Sequence, residues 1–273
     1  MLMFTLEERE FKYISNEVYQ FARINLTQKK KFLIVSRLSK RIRALKLNGF
    51  PQYVEFLKNN DPERTEFQRM VDALSTNYSL FFREEHHFEY LVESILPQYG
   101  SDRLNIWSAA ASNGQEIYSI LITLLEYKKQ SGSMLSYKLF ASDISSDALR
   151  YAASGIYPQR DIEKIPHALL STYFLKGRDS SKDMVKIRND LIRQVRFFRL
   201  NLSDEKYRIP IMDIIFLRNV IIYFDKSTKI ELISRLYDYL TPEGYLFLGH
   251  SESLSGISDQ FIQVGRTIYR RRD

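Results

Sequence analysis

The chain has 273 residues, 44% hydrophobic and 27% charged, a composition typical of a soluble globular protein with a sizeable core. It contains no cysteine, which excludes disulfides, thiolate nucleophiles and cysteine-based zinc sites. No apolar run approaches the roughly 18 residues of a membrane span, and acidic residues come too early for a signal peptide, so we expect a cytoplasmic protein. The net charge of +7 leaves nucleic acid, an anionic membrane or an acidic protein open as partners.

The first part of the chain, 1–75, is predicted to be a small helical domain with turns at 49–51 and 59–62. Along its clearest helix, apolar residues are spaced by three and four, which is typical of one buried face: Val35, Leu38, Ile42 and Leu45. Basic residues are expected on the opposite face: Lys30, Arg37, Lys40, Arg41 and Arg43. This basic face could meet an acidic surface, but on composition alone a solvated helix face is the simpler explanation.

Residues 76–90 are predicted to be a linker that leads into an α/β domain, 91–273. An amphipathic helix near 88–96 comes first, and then strands and helices alternate, with strands at 104–107, 137–142 and 213–217. This alternation predicts a parallel Rossmann-like sheet. The last two strands, 245–249 and 267–271, are joined too briefly for a helical crossover, so one of them should be antiparallel.

The alternation fails between 157 and 198. A polar, turn-like stretch at 176–183 is followed by two short strands, 184–188 and 195–198. We therefore expect an inserted antiparallel β subdomain at about 161–197.

In an open α/β sheet, ligands bind beyond the carboxyl ends of the strands. The strand ending at Trp107 is followed by a turn of small residues, 108–116, which lets a ligand approach the backbone but lacks the lysine of a phosphate-binding loop. Asp143 ends the next strand, where a carboxylate can accept hydrogen bonds from both ribose hydroxyls. Two structural alternatives stay open. Residues 108–116 could be only a tight turn, and Asp143 could cap the next helix, although Ser145 or Ser146 could equally provide that cap.

Two segments that contain histidine are predicted to be neither metal nor catalytic sites. His86 and His87 lie among three glutamates, but adjacent helical residues point about 100° apart and no H-E-x-x-H pattern is present, so we expect no metal site. His250 follows a strand alone, without a serine or cysteine constellation, and is expected to be a hydrogen-bonded packing residue.

Four segments come in a fixed order along the chain: T-N-Y-S-L-F-F-R-E at 76–84, W-S-A-A-A-S-N-G-Q-E-I-Y-S at 107–119, A-S-D-I at 141–144 and R-N-V-I-I-Y-F-D at 218–225. Together they resemble the CheR family of chemotaxis receptor methyltransferases, and the likeness covers nearly the whole chain. The resemblance implies transfer of a methyl group from S-adenosylmethionine to receptor glutamates, with S-adenosylhomocysteine as the other product. It also implies a Rossmann-like methyltransferase sheet with a helical N-terminal domain and an inserted β subdomain.

The resemblance places Arg83 and Tyr223 next to the transferred methyl group. It also implies the following cofactor-binding residues: Asn77, Ser79, Arg83, Glu116, Asp143, Asn201, Leu202, Arg218 and Asn219. Without the resemblance, an ion pair of Arg83 with Glu84 or Glu85 and strand packing of Tyr223 would be the simpler explanations.

The chain departs from the family pattern at a few positions. Many relatives read G-E-E-P-Y-S where this chain has Gln115 and Ile117, although the binding Glu116 is retained. Leu217 stands where some relatives have a cysteine, so that cysteine cannot be needed for the chemistry here.

Partners also follow from the resemblance. The basic face would dock on the glutamate-rich cytoplasmic helices of a receptor, and the β subdomain captures a receptor C-terminal peptide in some members by adding a strand to a sheet edge. No helix-turn-helix or aromatic-basic RNA motif is present, so nucleic acid is not expected, and we expect a monomer. A cofactor-binding signalling module without catalysis, and a methyltransferase for RNA or a small molecule, stay open as alternatives.

Overall fold

The computed structural model describes residues 4–75, 79–100 and 103–273. The chain divides into two compact units, one formed by 1–76 with 223–228 and the other by 77–222 with 229–273. The first unit thus includes a short segment that the sequence pattern assigned to the α/β domain. Among the described residues, no helix is long and apolar enough to cross a membrane.

Within its described residues, the N-terminal unit contains the α-helices α1 Glu8–Ala22, α2 Lys31–Ala44, α3 Phe50–Asn59 and α4 Thr65–Leu74. A short 3-10 turn, Gln28–Lys30, precedes α2. The apolar face predicted on α2 is buried at Val35, Leu38 and Ile42, which confirms the helical spacing. Leu45 lies one residue beyond the helix and is only partly buried.

The predicted basic face of α2 is smaller than the sequence pattern indicates. The Arg37 guanidinium donates to the carbonyls at the end of α4, which belong to Ala73, Leu74 and Ser75, over 2.7–3.3 Å. Arg41 forms a two-pronged pair with Glu66, with N to O distances of 3.0 and 2.5 Å. Both arginines therefore stabilise the helical unit itself, because long side chains bend back to carbonyls and carboxylates that helical periodicity does not reveal.

The other three residues of the basic face differ from one another. Lys40 is exposed. The Arg43 guanidinium lies 5.4 Å from the centroid of the Phe4 ring, and the Lys30 ammonium lies 4.8 Å from that of Tyr223 in the same unit.

The larger unit begins with a helical stretch, α5 His86–Tyr90, a π-helical turn Leu91–Ile95 and α6 Leu96–Tyr99. The remaining helices are α7 Gln115–Ser131, α8 Ser146–Ser154, α9 His167–Tyr173, α10 Asn189–Ile192 and α11 Lys226–Asp238. The strands are β1 Arg103–Ser108, β2 Ser136–Asp143, β3 Ile156–Pro158, β4 Phe174–Lys176, β5 Met184–Ile187, β6 Val195–Arg199, β7 Met212–Leu217, β8 Leu240–Leu248, β9 Phe261–Gly265 and β10 Ile268–Arg271.

Seven strands form the large sheet in the order β6-β2-β1-β7-β8-β10-β9. The first five are parallel, and β10 is antiparallel to both β8 and β9. This confirms the predicted Rossmann-like sheet with an antiparallel strand near its end, to which β9 is an unpredicted addition. From β1 the order runs to β2 and β6 on one side and from β7 to β8 on the other, so the switch point lies between β1 and β7.

The inserted subdomain is a three-stranded antiparallel sheet in the order β3-β5-β4. The existence of a small antiparallel sheet was predicted, but the assignment of 195–198 to it was wrong. That segment is β6, an edge strand of the large sheet, where Phe197 lies opposite Ala141 of β2. The pairing joins residues more than 50 positions apart, so local sequence patterns could not reveal it.

Candidate functional site

The parallel strands bring the segments that follow them to one edge of the large sheet. Backbone hydrogen bonds tie these segments together: the Ala109 N–H donates to the Phe216 carbonyl, and the Ala111 N–H donates to the Ser142 carbonyl, over 2.9 and 2.8 Å. Farther along the edge, the Leu200 N–H donates to the carbonyl of Asp143 over 3.1 Å. Residues predicted from four separate segments therefore follow adjacent strands at the switch point, where α/β proteins bind ligands.

A buried ion pair links the two strands on either side of the switch point. Arg218, directly after β7, donates from Nη1 to Oε2 of Glu116 over 3.0 Å, and its side chain is 2% exposed. The other carboxylate oxygen of Glu116 accepts from the Ser108 hydroxyl over 2.7 Å. Burial raises the pKa of Glu116, and Arg218 and Ser108 oppose that effect by stabilising the ionised form.

Glu84 is a second carboxylate on the same guanidinium, and it was not among the predicted site residues. Its Oε2 lies 3.4 Å from Nη2 of Arg218, and the same Nη2 donates to the Arg83 carbonyl. Its Oε1 accepts from Nδ1 of His250 over 3.0 Å and from the Asn219 amide over 3.4 Å. Glu84 thus contacts the predicted site residues Arg218 and Asn219. The hydrogen bond expected for His250 is present, but the His250 side chain is 53% exposed and is not a packing residue.

The Arg218 guanidinium and the hydrogen bonds around Glu84 determine its ionisation. Burial alone would raise the pKa of Glu84, but the Arg218 guanidinium and the hydrogen bonds from His250 outweigh it and lower the pKa to about 2. Burial, followed by the charge of Arg218, lowers the pKa of the neighbouring His87 to about 3. At neutral pH Glu84 is therefore an anion and His87 is uncharged.

Arg83 lies in a segment that is anchored on both sides. Before it, the Phe81 ring packs edge-on against the Tyr157 ring, with 5.0 Å between the ring centroids, and the Phe82 N–H donates to the Ser119 hydroxyl over 2.9 Å. After it, Oε1 of Glu84 lies 3.8 Å from Nε of Arg83. The ion pair with Glu84 that the sequence allowed is therefore present, and it orients the guanidinium.

Positive backbone φ angles also occur in the same segments. Four residues that are not glycine have positive φ there: Phe82, Glu84, Ser112 and Asn219, with φ between 51° and 59°. Such conformations cost energy and persist where surrounding contacts enforce them, often at binding sites.

The turn between β1 and α7 has the features expected of a ligand cradle. Gly114 has φ +89°, and a Cβ there would lie 2.8 Å from Cβ of Ala152, so only glycine fits. Within the described part of the chain, the buried Ser112 hydroxyl and Gln115 carbonyl have no hydrogen-bond partner. Buried polar atoms are normally paired, so these two suit a polar ligand.

Asp143 at the end of β2 is held by two backbone N–H groups, those of Ser112 over 2.8 Å and Ser145 over 2.9 Å. The cap of α8 is Ser145 itself, whose hydroxyl accepts from the Ala148 N–H. The capping role considered for Asp143 is thus taken by Ser145. The Asp143 carboxylate is fixed beside the turn that follows β1.

The pair Asn201 and Leu202 lies in the turn just after β6. The Asn201 side-chain oxygen accepts from the Ser203 N–H over 3.0 Å, and the Leu202 carbonyl accepts from the Tyr207 hydroxyl over 2.7 Å. The turn has a defined shape next to the Asp143 end of β2.

Glu252 is a further residue at the edge of the site that was not among the predicted site residues. Its Oε2 accepts from the N–H groups of Asn219 and Gly249 over 2.8 and 2.7 Å, which fixes the positive-φ conformation of Asn219. A Cβ on Gly249 would lie 2.2 Å from the Asn219 amide nitrogen. The signal was available in G-H-S-E at 249–252, which follows a parallel strand.

The remaining predicted site residues are less closely defined. Asn77 lies outside the described residues, and Ser79 is partly buried at the start of the segment that carries Arg83. Tyr223 belongs to the helical unit, at the end of a 3-10 turn Ile221–Tyr223. Across the described ranges, no group of three or more histidine, aspartate or glutamate side chains is arranged to hold a metal ion.

Two family comparisons cover almost the whole chain. Residues 77–270 match the CheR methyltransferase SAM-binding domain, and residues 9–75 match the CheR methyltransferase all-alpha domain. The chain belongs to the CheR methyltransferase family. The resemblance seen in the four sequence segments is confirmed.

Individual relatives agree with the family match. The chain is 39% identical to the chemotaxis protein methyltransferase of Salmonella typhimurium over 265 residues, which is 97% of this chain and 90% of that protein. It is 38% identical to the Escherichia coli protein of the same name, over 97% of this chain and 91% of that protein. It is 39% identical to chemotaxis protein methyltransferase 2 of Pseudomonas aeruginosa, over 97% of this chain and 94% of that protein.

As a CheR methyltransferase, the chain is an S-adenosylmethionine-dependent enzyme. The geometry fits this cofactor: buried polar atoms without a partner line the turn after β1, the buried Arg218 follows β7 beside the ionised Glu84, and the Asp143 carboxylate ends β2. A sulfonium cofactor with an amino-acid end and a ribose needs both signs of charge, and this edge of the sheet provides both.

Proposed function

We propose that this CheR methyltransferase transfers the methyl group of S-adenosylmethionine to glutamate side chains of a chemotaxis receptor. The products would be glutamate 5-O-methyl esters and S-adenosylhomocysteine. The observation that carries the proposal is the buried network at the switch point, in which Arg218 joins Glu116 and Glu84 and so links three of the four family segments. We place the reaction in the cytoplasm and expect a monomeric enzyme.

The proposed reaction is an in-line displacement in which a carboxylate oxygen attacks the methyl carbon and the sulfonium leaves as a neutral thioether. A glutamate carboxylate with a pKa of about 4.3 is already ionised at neutral pH, so the enzyme needs no general base. Its task is to align two reactants and exclude water, which can lower the barrier by about 7–11 kcal/mol.

Each predicted site residue has a proposed role in this alignment. Arg218 and Glu116 would hold the amino-acid end of the cofactor, together with Asn77, Ser79 and Asn219, and Asp143 would accept from the ribose hydroxyls. The turn at Asn201 and Leu202 would contact the remaining part of the cofactor. The planar fork of Arg83 would orient the reacting carboxylate, and the Tyr223 hydroxyl would fix substrate or cofactor near the methyl group.

The receptor would dock on the helical unit. Its glutamate-rich helices are acidic. On the exposed side of α2, Lys40 offers them positive charge and Phe32, which is 70% exposed, offers apolar surface. Arg37 and Arg41 would contribute less than the sequence pattern indicated, since both bind groups within the helical unit.

A second receptor contact is proposed at the inserted subdomain. Strands β3 and β4 are the edges of its small sheet, and Ile156 and Leu175 on them are 37% and 47% exposed. An extended receptor C-terminal peptide could add a strand there. Calorimetry with receptor-tail peptides tests this contact, and no detectable heat would argue against it.

The decisive experiment incubates the purified enzyme with methyl-labelled S-adenosylmethionine and receptor-containing membranes. Label should appear on the receptor and be released by base as methanol, because glutamyl methyl esters are base-labile and N-methyl groups are not. Base-stable label would indicate a different substrate class. Binding of S-adenosylhomocysteine without any transfer would indicate a signalling module, and failure to bind either form of the cofactor would overturn the proposal.

A further inference from the structure

The segment that carries Tyr223 is attached to the helical unit at three points. The Asn25 N–H donates to the Tyr223 carbonyl over 2.9 Å. Two residues later, Oδ2 of Asp225 accepts from the Tyr19 hydroxyl over 2.5 Å. The Lys30 ammonium lies 4.8 Å from the centroid of the Tyr223 ring. The backbone and the ring of Tyr223, and the nearby Asp225, are therefore all held by residues 19–30.

Asp225 connects α1 to the backbone at the start of α11. Its Oδ1 accepts from the Thr228 N–H and the Ser227 hydroxyl, both over 2.9 Å, at the start of α11. The hydrogen bond from Tyr19, followed by those from Thr228, lowers the pKa of Asp225 well below its usual range, so the carboxylate is ionised at neutral pH. A charged acceptor makes these hydrogen bonds stronger than neutral ones.

Lys30 contacts the Tyr223 ring and is only partly exposed to solvent. Its ammonium also donates to the Asn25 carbonyl over 3.4 Å. Burial, followed by the charge of Arg37, lowers the pKa of Lys30. A cation within about 6 Å of a tyrosine ring is attracted to its face. Because the backbone and two side-chain torsions fix a tyrosine hydroxyl, contacts to backbone and ring together determine where that hydroxyl points.

We infer that Tyr19, Asn25 and Lys30 are positioning residues that hold the Tyr223 hydroxyl for methyl transfer. The inference rests on the proposed function, in which Tyr223 is catalytic. It gives Lys30 a role in turnover, whereas the sequence pattern grouped it with the receptor-docking face.

The first test replaces Tyr19 by phenylalanine, which removes one hydroxyl and keeps the ring. We expect kcat for receptor methylation to fall about 10-fold, since misplacing a reacting group by about 1 Å can cost about 100-fold. KM for the receptor and Kd for S-adenosylhomocysteine should stay within about twofold of wild type, because neither binding step uses the Tyr19 hydroxyl. Tyr13→Phe is the matched control. Tyr13 lies on the same helix, but its ring contacts Lys58 rather than residues 223–228, so the substitution should leave kcat unchanged.

The second test repeats Tyr19→Phe in a Tyr223→Phe background. If Tyr19 acts through the Tyr223 hydroxyl, the two losses do not add, and the double variant turns over like Tyr223→Phe alone. The same 10-fold loss in both backgrounds would show a general structural effect and overturn the inference while leaving the proposed role of Tyr223 intact. A normal kcat for Tyr223→Phe alone would instead overturn the role of Tyr223, and the inference with it.

Variants of Lys30 distinguish a positioning role from a receptor-docking role. Lys30→Met should lower kcat without raising KM for the receptor, and Lys30→Arg, which keeps a cation over the ring, should restore most of the activity. Lys40→Met, on the exposed side of α2, should do the reverse and raise KM. A Lys30→Met variant with raised KM and normal kcat would assign Lys30 to docking and overturn its positioning role.

Discussion

Arg218 and Glu116 form a buried pair, Nη1 to Oε2 3.0 Å, between segments that follow the adjacent parallel strands β7 and β1. The pair spans the point where the strand order of the sheet reverses. A buried pair stabilises a fold weakly in net terms, but removing one partner leaves an uncompensated charge. We therefore propose that the arrangement serves a ligand that needs both charges rather than stability.

The Glu116→Gln variant tests this directly. It removes the charge that we propose for the amino group of the cofactor while keeping the side-chain shape. We expect the Kd for S-adenosylhomocysteine, measured by calorimetry, to rise about 10- to 150-fold, because a hydrogen bond to a charged group contributes about 1.5–3 kcal/mol. The exposed Glu93→Gln on the same unit is the control, and an equal Kd for both variants would remove Glu116 from the site.

Glu84 should make the enzyme sensitive to acid. Its pKa is lowered from an ordinary 4.5 to about 2 in the folded chain. The ionised carboxylate therefore contributes its full stabilisation above about pH 4.5, and that contribution is lost as the pH falls toward about 2. In Tm measurements from pH 7 to pH 3, wild type should lose stability more steeply below pH 4.5 than Glu84→Gln. Parallel curves would contradict the pairing, and Glu85→Gln, an exposed neighbour, should follow wild type.

Arg83→Lys tests whether the planar fork matters for turnover. Lysine keeps the charge but cannot bind a carboxylate through two parallel hydrogen bonds. We expect kcat for receptor methylation to fall about 10- to 100-fold, since alignment is the main task of the enzyme. Arg103→Lys, at the exposed start of β1, is the control for the change of side chain. Near-normal turnover of Arg83→Lys would leave Arg83 with only its ion pair to Glu84.

The sequence predicted elements well where periodicity was strong. The buried stripe of α2 and the strands β1, β2 and β7 follow from apolar spacing, and the site segments follow from residues just beyond those strands. The short strands β3, β4 and β9 were not predicted, because three to five residues give too little alternation to distinguish a strand from a loop.

Tertiary contacts account for the other differences. The place of β6 in the large sheet depends on its pairing with β2, and the inward roles of Arg37 and Arg41 depend on carbonyl and carboxylate groups 25 to 38 positions away. Glu84 joins the site because Arg218, 134 positions later, comes beside it. Sequence patterns predict which face a residue lies on, but they do not predict the partner that it meets there.

Gly114 is predicted to be irreplaceable for a steric and a conformational reason. Gly114→Ala forces a residue with a side chain to φ +89° and places its Cβ 2.8 Å from that of Ala152. We expect the free energy of unfolding, measured by urea denaturation, to fall by about 2–4 kcal/mol. Adding Ala152→Gly removes the nearest contact but leaves the Tyr157 hydroxyl at 3.0 Å and the Cα of residue 152 at 3.2 Å, so it should recover part of the steric loss and none of the backbone loss. Full recovery would show that the φ value contributes nothing, and no loss at all would contradict both reasons.

The arginine and lysine on neighbouring positions of α2 are predicted to act in opposite ways. Arg41 binds Glu66, whose side chain is 4% exposed and also accepts from the Tyr53 hydroxyl over 3.0 Å. Arg41→Gln leaves that carboxylate with only the longer contact to the exposed Arg69, whose Nη1 lies 3.9 Å from Oε2 of Glu66. We expect a loss of about 2–3 kcal/mol in the free energy of unfolding, below the about 3–5 kcal/mol of a fully buried pair, because Arg41 itself is 24% exposed.

Lys40→Gln is the matched change one position earlier, on an exposed side chain. It should leave the free energy of unfolding within about 0.5 kcal/mol of wild type, as surface substitutions usually do, and weaken receptor binding instead. The weakening should diminish as salt is raised, because screening removes the attraction between exposed charges that Lys40 provides. If Arg41→Gln changed only receptor binding and Lys40→Gln only stability, the division of α2 into an inward and an outward set of charges would be wrong.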